Sequence, residues 1–343
     1  MKKVFYSLIS LLFTLAIVLA ILGTHFYIFT QSPLTVKPEG YVILIPNGTP
    51  VQKIATQLKK DKILEYPYWF MLSVLLQGDW HKLKAGEYLI KSGSTPFDLI
   101  EQVREGKVIQ YAFTIIPGWS FDRLMQEIKL APKLTQTLSG LTPNEVMAKL
   151  GHPAEHPEGR FFAETYYYPN GTTDIQFLQR SYHVLQDKLI QLWNKRAVDV
   201  LPFSTPYEAL ILASIVEKES DLAEEYAEIA GVYVRRLKIN MPLQADPTVI
   251  YGAGKEYGGT IDSKMLKIPT PYNTYQVTGL PPTPIAFPST KALEAALNPK
   301  PGDTLYFVAK PEGKGHIFSK TLQEHQLAVS RYRNRDGVLR KRK

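Results

Sequence analysis

The stretch TPYEALILASIVEKES, residues 205–220, says more about the fold than any other segment of the chain. A threonine, a proline and then Glu208 form the signature of a capped helix start. The eight residues after Glu208 carry no charge, so a helix formed by them must be buried. Glu217 ends this apolar series, and on a period of 3.6 residues it shares a face with Leu210, Ala213 and Ser214. We therefore predict a buried helix whose small side chains leave a hollow beside Glu217 that a substrate can fill.

Glu217 also has a purely structural interpretation. It can be the first exposed residue of a helix that leaves the core, because Lys218 and Glu219 continue the series as charged residues. Two later stretches, residues 241–252 (MPLQADPTVIYG) and 270–289 (TPYNTYQVTGLPPTPIAFPS), favour the functional interpretation. They are loop-rich, polar and aromatic, and loops on a helical scaffold are where binding residues gather. Their side chains include donors and acceptors suited to sugar hydroxyl and acetamido groups: Gln244, Asp246, Asn273 and Tyr275.

The N-terminus carries a long apolar segment. Lys2 and Lys3 precede it, and residues 4–36 contain no formal charge. About 20 apolar residues are enough to cross a bilayer, and this run is longer than the centre of most cleaved signal peptides. We predict an uncleaved single-pass anchor in the cell inner (cytoplasmic) membrane, with a cleaved signal peptide as the alternative. The two lysines place the N-terminus in the cytoplasm, so the rest of the chain is expected on the periplasmic or extracytoplasmic side.

A strand, turn and helix pattern recurs between Tyr41 and Leu130. The strand-like runs begin at Tyr41 (YVILI), Gly86 (GEYLI) and Gln110 (QYAFTII), and the turn–helix stretches begin at Pro46, Lys91 and Ile116. Thr49 and Thr95 each precede a proline and are predicted to cap the helix that follows. Such a small module resembles the LysM-like subdomain, which in other proteins binds polymers that contain N-acetylglucosamine. An ordinary spacer domain fits the same residues equally well.

Composition excludes several classes of protein and site. The chain of 343 residues contains no cysteine, which rules out thiolate metal sites, thiol catalysis and a disulfide framework. Its net charge of +8 is concentrated at the two ends, so the body is nearly neutral and lacks the basic face that nucleic acid requires. The basic tail is either a frayed, solvated C-terminus or a contact for anionic lipid. His152 and His156 are each followed by a proline that breaks the helix needed to align them, so we expect no metal and no cofactor.

Three motifs together resemble one known family. ASIVEKES (213–220), LQADPTVIYG (243–252) and TPYNTYQVTGLPP (270–282) are similar to signatures of the MltG or YceG-like family of endolytic murein transglycosylases. The resemblance covers nearly the whole chain. It implies that Glu217 is the catalytic acid/base, and it implies substrate contacts at a wider set of residues: Glu158, Glu164, Tyr166, Ser214, Gln244, Asp246, Thr248, Asn273 and Tyr275. Two positions depart from the family pattern: Ala163-Glu164 stands where Pro-Asp is usual, and Thr283 replaces a usual glycine.

The combined prediction is an α+β protein. Residues 1–31 are expected to form the cytoplasmic N-terminus and transmembrane anchor, and 38–130 the LysM-like α+β subdomain. Residues 131–330 are expected to form a mixed α/β catalytic domain with a glutamate-bearing helix, and 331–343 the basic C-terminal tail. The expected partners are peptidoglycan glycan strands, membrane lipid around the N-terminal helix and, as further candidates, wall-synthesis enzymes.

The resemblance implies a lytic reaction. Glu217 would protonate the oxygen of the MurNAc–GlcNAc β-1,4 bond, and the 6-hydroxyl of the same muramic acid would close on C1 to leave a 1,6-anhydro end. Such an enzyme would terminate or trim nascent glycan strands. One alternative is a muramidase-type hydrolase in which Asp246 or Glu164 holds a water. The other is a membrane-anchored, non-catalytic scaffold that binds glycan.

Overall fold

The computed structural model describes residues 2–78 and 83–340. The chain divides into two compact units. The first contains the residues up to Tyr111 together with Tyr167–Gly171, and the second contains Ala112–Tyr166 and the residues from Thr172 onward. Both units contain helices and short strands, so the predicted mixture of α and β structure is confirmed.

The first helix, α1, spans Lys2–Gln31 and is the apolar segment seen in the sequence. Within the described residues it is the one helix that is long and apolar enough to cross a membrane. The side chains of α1 are exposed along most of the helix, and Phe29 near its end is its one buried residue. Phe29 packs into the hydrophobic core of the first unit, which fixes the end of α1 to that unit.

The first unit is built on one antiparallel strand pair. Strand β1 (Tyr41–Ile45) pairs with β2 (Gly86–Ile90) so that Ile43 lies opposite Tyr88. Three helices complete the unit: α2 (Val51–Lys60), α3 (Pro67–Leu76) and α4 (Pro96–Glu105). The strands predicted from Tyr41 and from Gly86 are confirmed.

The two predicted helix caps of the first unit have different outcomes. The backbone N–H of Asp98 donates to the hydroxyl of Thr95, and the Asp98 carboxylate accepts from the backbone N–H of Thr95, so this cap is confirmed. The prediction that Thr49 caps α2 is wrong. There α2 begins one residue later, with Pro50 at the cap position, and the Thr49 hydroxyl donates to the carbonyl of Pro46 instead. The tight turn before α2 thus uses the hydroxyl that the helix would have needed.

The second unit is mainly helical. Its helices are α5 (Phe121–Leu130), α6 (Pro143–Leu150), α7 (Asp174–Trp193), α8 (Pro206–Glu219), α9 (Tyr226–Lys238), α10 (Asp246–Ala253), α11 (Thr290–Leu297) and α12 (Leu322–Arg340). Because α12 runs to Arg340, the described part of the basic tail is helical. Helix α8 packs against α9 and α11, and all eight residues from Ala209 to Val216 are buried. The buried helix predicted from the quoted stretch, including its cap of Thr205 and Glu208, is confirmed.

Two of the strands contain residues of both units. Strand β3 (Gln110–Thr114) pairs with β4 (Thr165–Pro169), and each of the two strands is divided between the units. Further along, β5 (Tyr306–Ala309) and β6 (His316–Ser319) form an antiparallel pair. The structure assigns α5 to the second unit, whereas the predicted LysM-like module extended to residue 130. The LysM-like character and the domain bounds stay predictions.

Candidate active site

Glu217 is half-buried near the end of α8, and three elements meet at its carboxylate. Oε2 accepts a hydrogen bond from the backbone N–H of Ser289 at 2.9 Å and another from the Ser289 hydroxyl at 2.6 Å. Oε1 accepts from the hydroxyl of Tyr226 at 3.3 Å. Tyr226 is the first residue of α9, and Ser289 is the N-terminal cap of α11. The carboxylate is therefore fixed in direction by Ser289, which lies 72 positions away in the sequence, and by Tyr226, which lies nine positions away.

The contact with Ser289 has the geometry of a capping box made between two helices. In α6, the carboxylate of Glu145 accepts from the backbone N–H of Thr142 at 2.7 Å and from its hydroxyl at 2.8 Å. Helix α11 has Ala292 at the position of Glu145, and the Ser289 hydroxyl accepts from the Ala292 N–H at 3.2 Å. Glu217 supplies from α8 the carboxylate that α11 lacks. Neither Ser289 nor Tyr226 was predicted as a site residue, although a serine before a helical run is a local cap signal.

The prediction of a hollow beside Glu217 is wrong. Ala213 and Ser214 are fully buried, and the loop before α11 fills the space next to them. The backbone N–H of Ile285 donates to the Ser214 hydroxyl at 3.0 Å, and that hydroxyl donates to the carbonyl of Ile211 at 2.7 Å. Small residues on a helix face accommodate a close-packed segment as readily as a ligand, and here the segment belongs to the chain itself. The Ser214 hydroxyl holds this loop, so its predicted contact with substrate stays a prediction that these bonds do not favour.

Glu158 is a buried carboxyl group, only 4% exposed, that joins two helices. Oε1 accepts from the backbone N–H of Phe121 at the start of α5, at 2.9 Å. Oε2 accepts from the hydroxyl of Tyr251 on α10, at 3.1 Å. Burial raises the pKa of Glu158 to about 7, and the two hydrogen bonds oppose that shift. Glu158 is thus placed to support the walls of a site rather than to line its surface.

The loop residues implied by the resemblance do come together around the start of α10. The backbone N–H of Gln244 donates to the carbonyl of Thr274 at 3.0 Å, which ties the two loops to each other. The hydroxyl of Tyr275 donates to Asp246 Oδ1 at 2.6 Å. The side chains of Gln244 and Asp246 are exposed, and Gln244 has φ +50°, a left-handed conformation that is uncommon for residues other than glycine. Such a conformation is often found at binding sites.

Thr248 and Asn273 lie beneath this surface. Thr248 is fully buried, and its hydroxyl donates to the carbonyl of Ala245 at 2.6 Å. Asn273 is 1% exposed and donates from its amide to the carbonyl of Ile268 at 2.8 Å. Both side chains use their polar atoms to fix the loops, so their predicted contact with substrate stays a prediction that these bonds do not favour.

Glu164 and Tyr166 face in opposite directions. Glu164 is exposed and lines a cavity of about 470 Å³ together with Asp187 and Lys188. Tyr166 is 3% exposed, and its hydroxyl donates to the carbonyl of Phe162 at 2.9 Å. Burial raises the pKa of Tyr166 to about 12. The structure therefore places Glu164 where solvent and ligands can reach it and Tyr166 within the core.

Glu219 is a second acidic group near the end of α8. Its carboxylate accepts from the hydroxyl of the buried Tyr233 at 2.5 Å. Burial raises the pKa of Glu219 to about 7, and the charge of Asp246 acts in the same direction. Its contacts differ from those of Glu217, because it faces Tyr233 rather than Ser289. A carboxyl group whose pKa is raised in this way can carry a proton near neutral pH, as functional acidic groups often do.

A cavity of about 400 Å³ is lined in part by Lys218, which follows Glu217, and by Tyr251, which contacts Glu158. We call it the Trp119 cavity. It is lined by residues of α5 and the turn before it, by the end of α8, by α10 and by the loop before α11: Trp119, Arg123, Lys218, Ile250, Tyr251 and Ile285. Sequence reasoning did not single out Trp119 or Arg123. The only local signal was the turn IPGWS (116–120), in which a half-exposed tryptophan precedes a helix cap.

Comparison with known proteins gives a consistent result. Residues 43–331 match the sequence model of the YceG-like family. The endolytic murein transglycosylase of Bacillus subtilis strain 168 is 32% identical over 315 residues, which cover 84% of this chain and 84% of that protein. The endolytic murein transglycosylase of Streptococcus pneumoniae strain R6 is 28% identical over 91% of this chain, and the match spans 62% of that longer protein. A solved YceG-like protein from Listeria monocytogenes is 27% identical, with a TM-score of 0.52 over 84% of this chain and 99% of that one.

Proposed function

Because the chain belongs to the YceG-like family, we propose that it is an endolytic murein transglycosylase, a lyase that cleaves peptidoglycan glycan strands. The observation that carries this proposal is its likeness to the B. subtilis enzyme over 84% of both chains. The bond cleaved is the β-1,4 linkage between MurNAc and GlcNAc, and the product is a strand that ends in 1,6-anhydro-MurNAc. Such cleavage terminates or trims nascent glycan strands.

Glu217 is the proposed acid/base of both steps. It first gives its proton to the oxygen that leaves with GlcNAc, while the acetamido group or ring oxygen of the muramic acid stabilises the positive charge at C1. The resulting carboxylate then takes the proton of the 6-hydroxyl on the same muramic acid. That oxygen forms the new bond to C1, and the proton is back on Glu217 at the end of the cycle. No water is consumed, and an attacking group tethered to the substrate gains a large effective molarity.

The surroundings of Glu217 support this role. The hydrogen bonds from Ser289 and Tyr226 direct the carboxylate, which lets one group act on two oxygens in succession without reorientation. The donors also stabilise the carboxylate that exists between the two proton transfers.

Membrane attachment and glycan binding complete the proposal. We propose that α1 anchors the protein in the cytoplasmic membrane, with Lys2 and Lys3 on the cytoplasmic side and both compact units outside. The first unit, as a LysM-like module, would bind the glycan chain, and wall-synthesis enzymes are candidate partners. The strand–turn–helix pattern of β1, α2, β2 and α4 supports this assignment.

Product analysis tests the reaction. The full-length protein in detergent is incubated with uncrosslinked glycan strands, with a Glu217→Gln variant as the control. Fragments that end in 1,6-anhydro-MurNAc, each lighter by one water than the hydrolytic product, are the expected result. Reducing ends as the main product, or oxygen incorporated from labelled water, would assign the enzyme to hydrolysis instead. A chain that binds glycan and releases no fragment of either kind would be a scaffold.

A further inference from the structure

The Trp119 cavity has no part in the two proton transfers assigned to Glu217, yet it adjoins the same end of α8. Lys218, the residue directly after Glu217, lines it. A cavity of about 400 Å³ is large enough for a sugar unit, and ligand sites typically combine apolar walls with a few placed polar groups. The residues of the Trp119 cavity provide both.

The walls of the cavity are fixed from beneath by buried hydrogen bonds. Glu158 joins the start of α5 to Tyr251 on α10 through bonds of 2.9 and 3.1 Å. Ile285 is held against α8 by the bond of 3.0 Å from its backbone N–H to the Ser214 hydroxyl. Three separate segments are thereby kept in position, as a preformed binding site requires.

The polar groups at the rim are positively charged. The ammonium group of Lys218 lies 3.4 Å from the carbonyl oxygen of Gly118, and within residues 2–78 and 83–340 it has no carboxylate partner. The Arg123 guanidinium pairs with Glu127 at 2.5 Å and lies 5.7 Å from the centre of the Trp119 ring. Its side chain is 54% exposed, so this pair is open to exchange with another anion. The cavity thus offers one uncompensated cation and a second cation whose partner is replaceable.

Trp119 supplies the apolar surface. Its ring is half-exposed beside Arg123, and aromatic rings present a flat apolar face that complements the C–H face of a sugar. Among the units of a glycan strand, muramic acid differs from GlcNAc by a lactyl group. That group ends in a carboxylate, or in a stem peptide that carries carboxylates of its own.

We propose that the Trp119 cavity binds a muramic acid unit of the glycan, with the sugar ring against Trp119 and a carboxylate of that unit on Lys218 and Arg123. The proposal rests on the function proposed above, since it concerns the same substrate. It assigns to this cavity the discrimination between muramic acid and GlcNAc, because a neutral GlcNAc unit leaves both cations without a new partner.

Binding measurements on the full-length protein in detergent test this assignment. The Glu217→Gln variant serves as the background, so that bound glycan is not cleaved. Three probes of equal length are compared: glycan strands without peptides, strands that carry stem peptides, and neutral GlcNAc oligomers. Lys218→Gln and Arg123→Gln are then introduced singly. Lys149→Gln, which removes an exposed lysine from α6, is the matched control.

We expect Lys218→Gln to raise the Kd for carboxylate-bearing strands by about threefold to tenfold, the range of a partly exposed charge-assisted contact. Binding of GlcNAc oligomers and the behaviour of Lys149→Gln should stay unchanged. A loss confined to strands without peptides assigns the contact to the lactyl carboxylate, and a loss confined to peptide-bearing strands assigns it to the peptide. Unchanged affinity for both, or an equal loss for GlcNAc oligomers, would overturn the proposal.

The two proposals can fail separately. If the wild-type protein releases anhydro ends while Lys218→Gln binds every probe normally, only the muramic acid site is lost. If the wild-type protein releases no fragments but Lys218→Gln weakens the binding of carboxylate-bearing strands and leaves that of GlcNAc oligomers unchanged, the site stands and the lytic reaction falls. Circular dichroism of each variant establishes that it is folded, which is expected because Lys218 and Arg123 are exposed.

Discussion

At the residue scale, the three hydrogen bonds at Glu217 allow a clean test of its chemistry. In Glu217→Gln the side-chain carbonyl can still accept both bonds from Ser289, so the fold is expected to stay intact. The amide can neither give nor take the catalytic proton. We expect glycan cleavage to fall by about 10⁴-fold or more, the upper end for loss of a general acid/base. Fragment release is measured by chromatography, and activity within tenfold of wild type would move the chemistry to Glu219 or Glu164.

Ser289 provides a second test, because it touches Glu217 and also caps α11. Removal of its hydroxyl in Ser289→Ala costs one bond to Glu217 and a helix cap worth about 1 kcal/mol. We expect kcat to fall about 10- to 100-fold, since a misdirected acid/base loses its alignment with the substrate. Ser289→Thr keeps a hydroxyl at this position and should recover most of the activity.

A matched variant separates alignment from stability. Thr142→Ala removes an equivalent cap from α6, where the carboxylate partner is Glu145 rather than Glu217. Both alanine variants should lose similar stability in thermal unfolding, and only Ser289→Ala should lose kcat. Equal kcat in the two variants would show that Ser289 acts only as a cap.

At the element scale, Glu158 connects α5 to α10 and makes their packing sensitive to pH. The unfolded chain ionises this group near its ordinary pKa of 4.5, and burial raises the pKa to about 7 in the folded chain. Between these values the folded state binds more protons, so the free energy of unfolding falls as pH rises through this window. Glu219, with its pKa also raised to about 7, adds to the same trend.

We therefore expect Glu158→Gln to flatten the decline of stability between pH 5 and pH 8, by about 3 kcal/mol at most. Chemical unfolding of wild type and variant at the two pH values measures the effect. Glu145→Gln, at an exposed carboxyl group whose hydrogen bonds to Thr142 lower its pKa, is the control and should not flatten the decline. Parallel curves for wild type and Glu158→Gln would show that Glu158 is ionised in the folded protein across this range.

Elements with strong local signals were predictable, and those that depend on distant contacts were not. Helix α8 has a cap and an apolar run within one short stretch, so its bounds followed from the sequence. Strand β4 (TYYYP) buries alternate residues, but its three central residues are tyrosines whether buried or exposed, so no polarity contrast among them revealed the period of two. Near the candidate site, the position of Glu217 at the end of a buried helix was predictable from the sequence, and its catalytic role stays a prediction. Its partner Ser289 lies 72 positions away, and Tyr251 lies 93 positions from Glu158, and only the fold brings such residues together.

At the scale of the whole molecule, the proposal that α1 anchors the chain in the membrane can be tested by reporter fusions. If α1 crosses the membrane with Lys2 and Lys3 inside, an alkaline phosphatase fused to the C-terminus should be active, and a reporter that works only in the cytoplasm should be inactive there. The reverse pattern would contradict the orientation. The apolar segment should also remain on the mature protein, which intact mass measurement checks. Removal of α1 should weaken the first unit as well, because Phe29 is part of its core.

The division of β3 and β4 between the units has a consequence for the covalent chain. The polypeptide passes from one unit to the other between Tyr111 and Ala112, returns at Tyr167, and leaves again after Gly171. Neither unit is therefore encoded by an uninterrupted stretch of gene. A protease that nicks the backbone between Tyr166 and Tyr167 cuts β4 itself and leaves Tyr167–Pro169 on a different fragment from β3, the strand with which β4 pairs. A gene fragment that starts at Ala112 encodes Tyr167–Gly171, which belong to the first unit. It lacks the residues up to Tyr111, which form the rest of that unit.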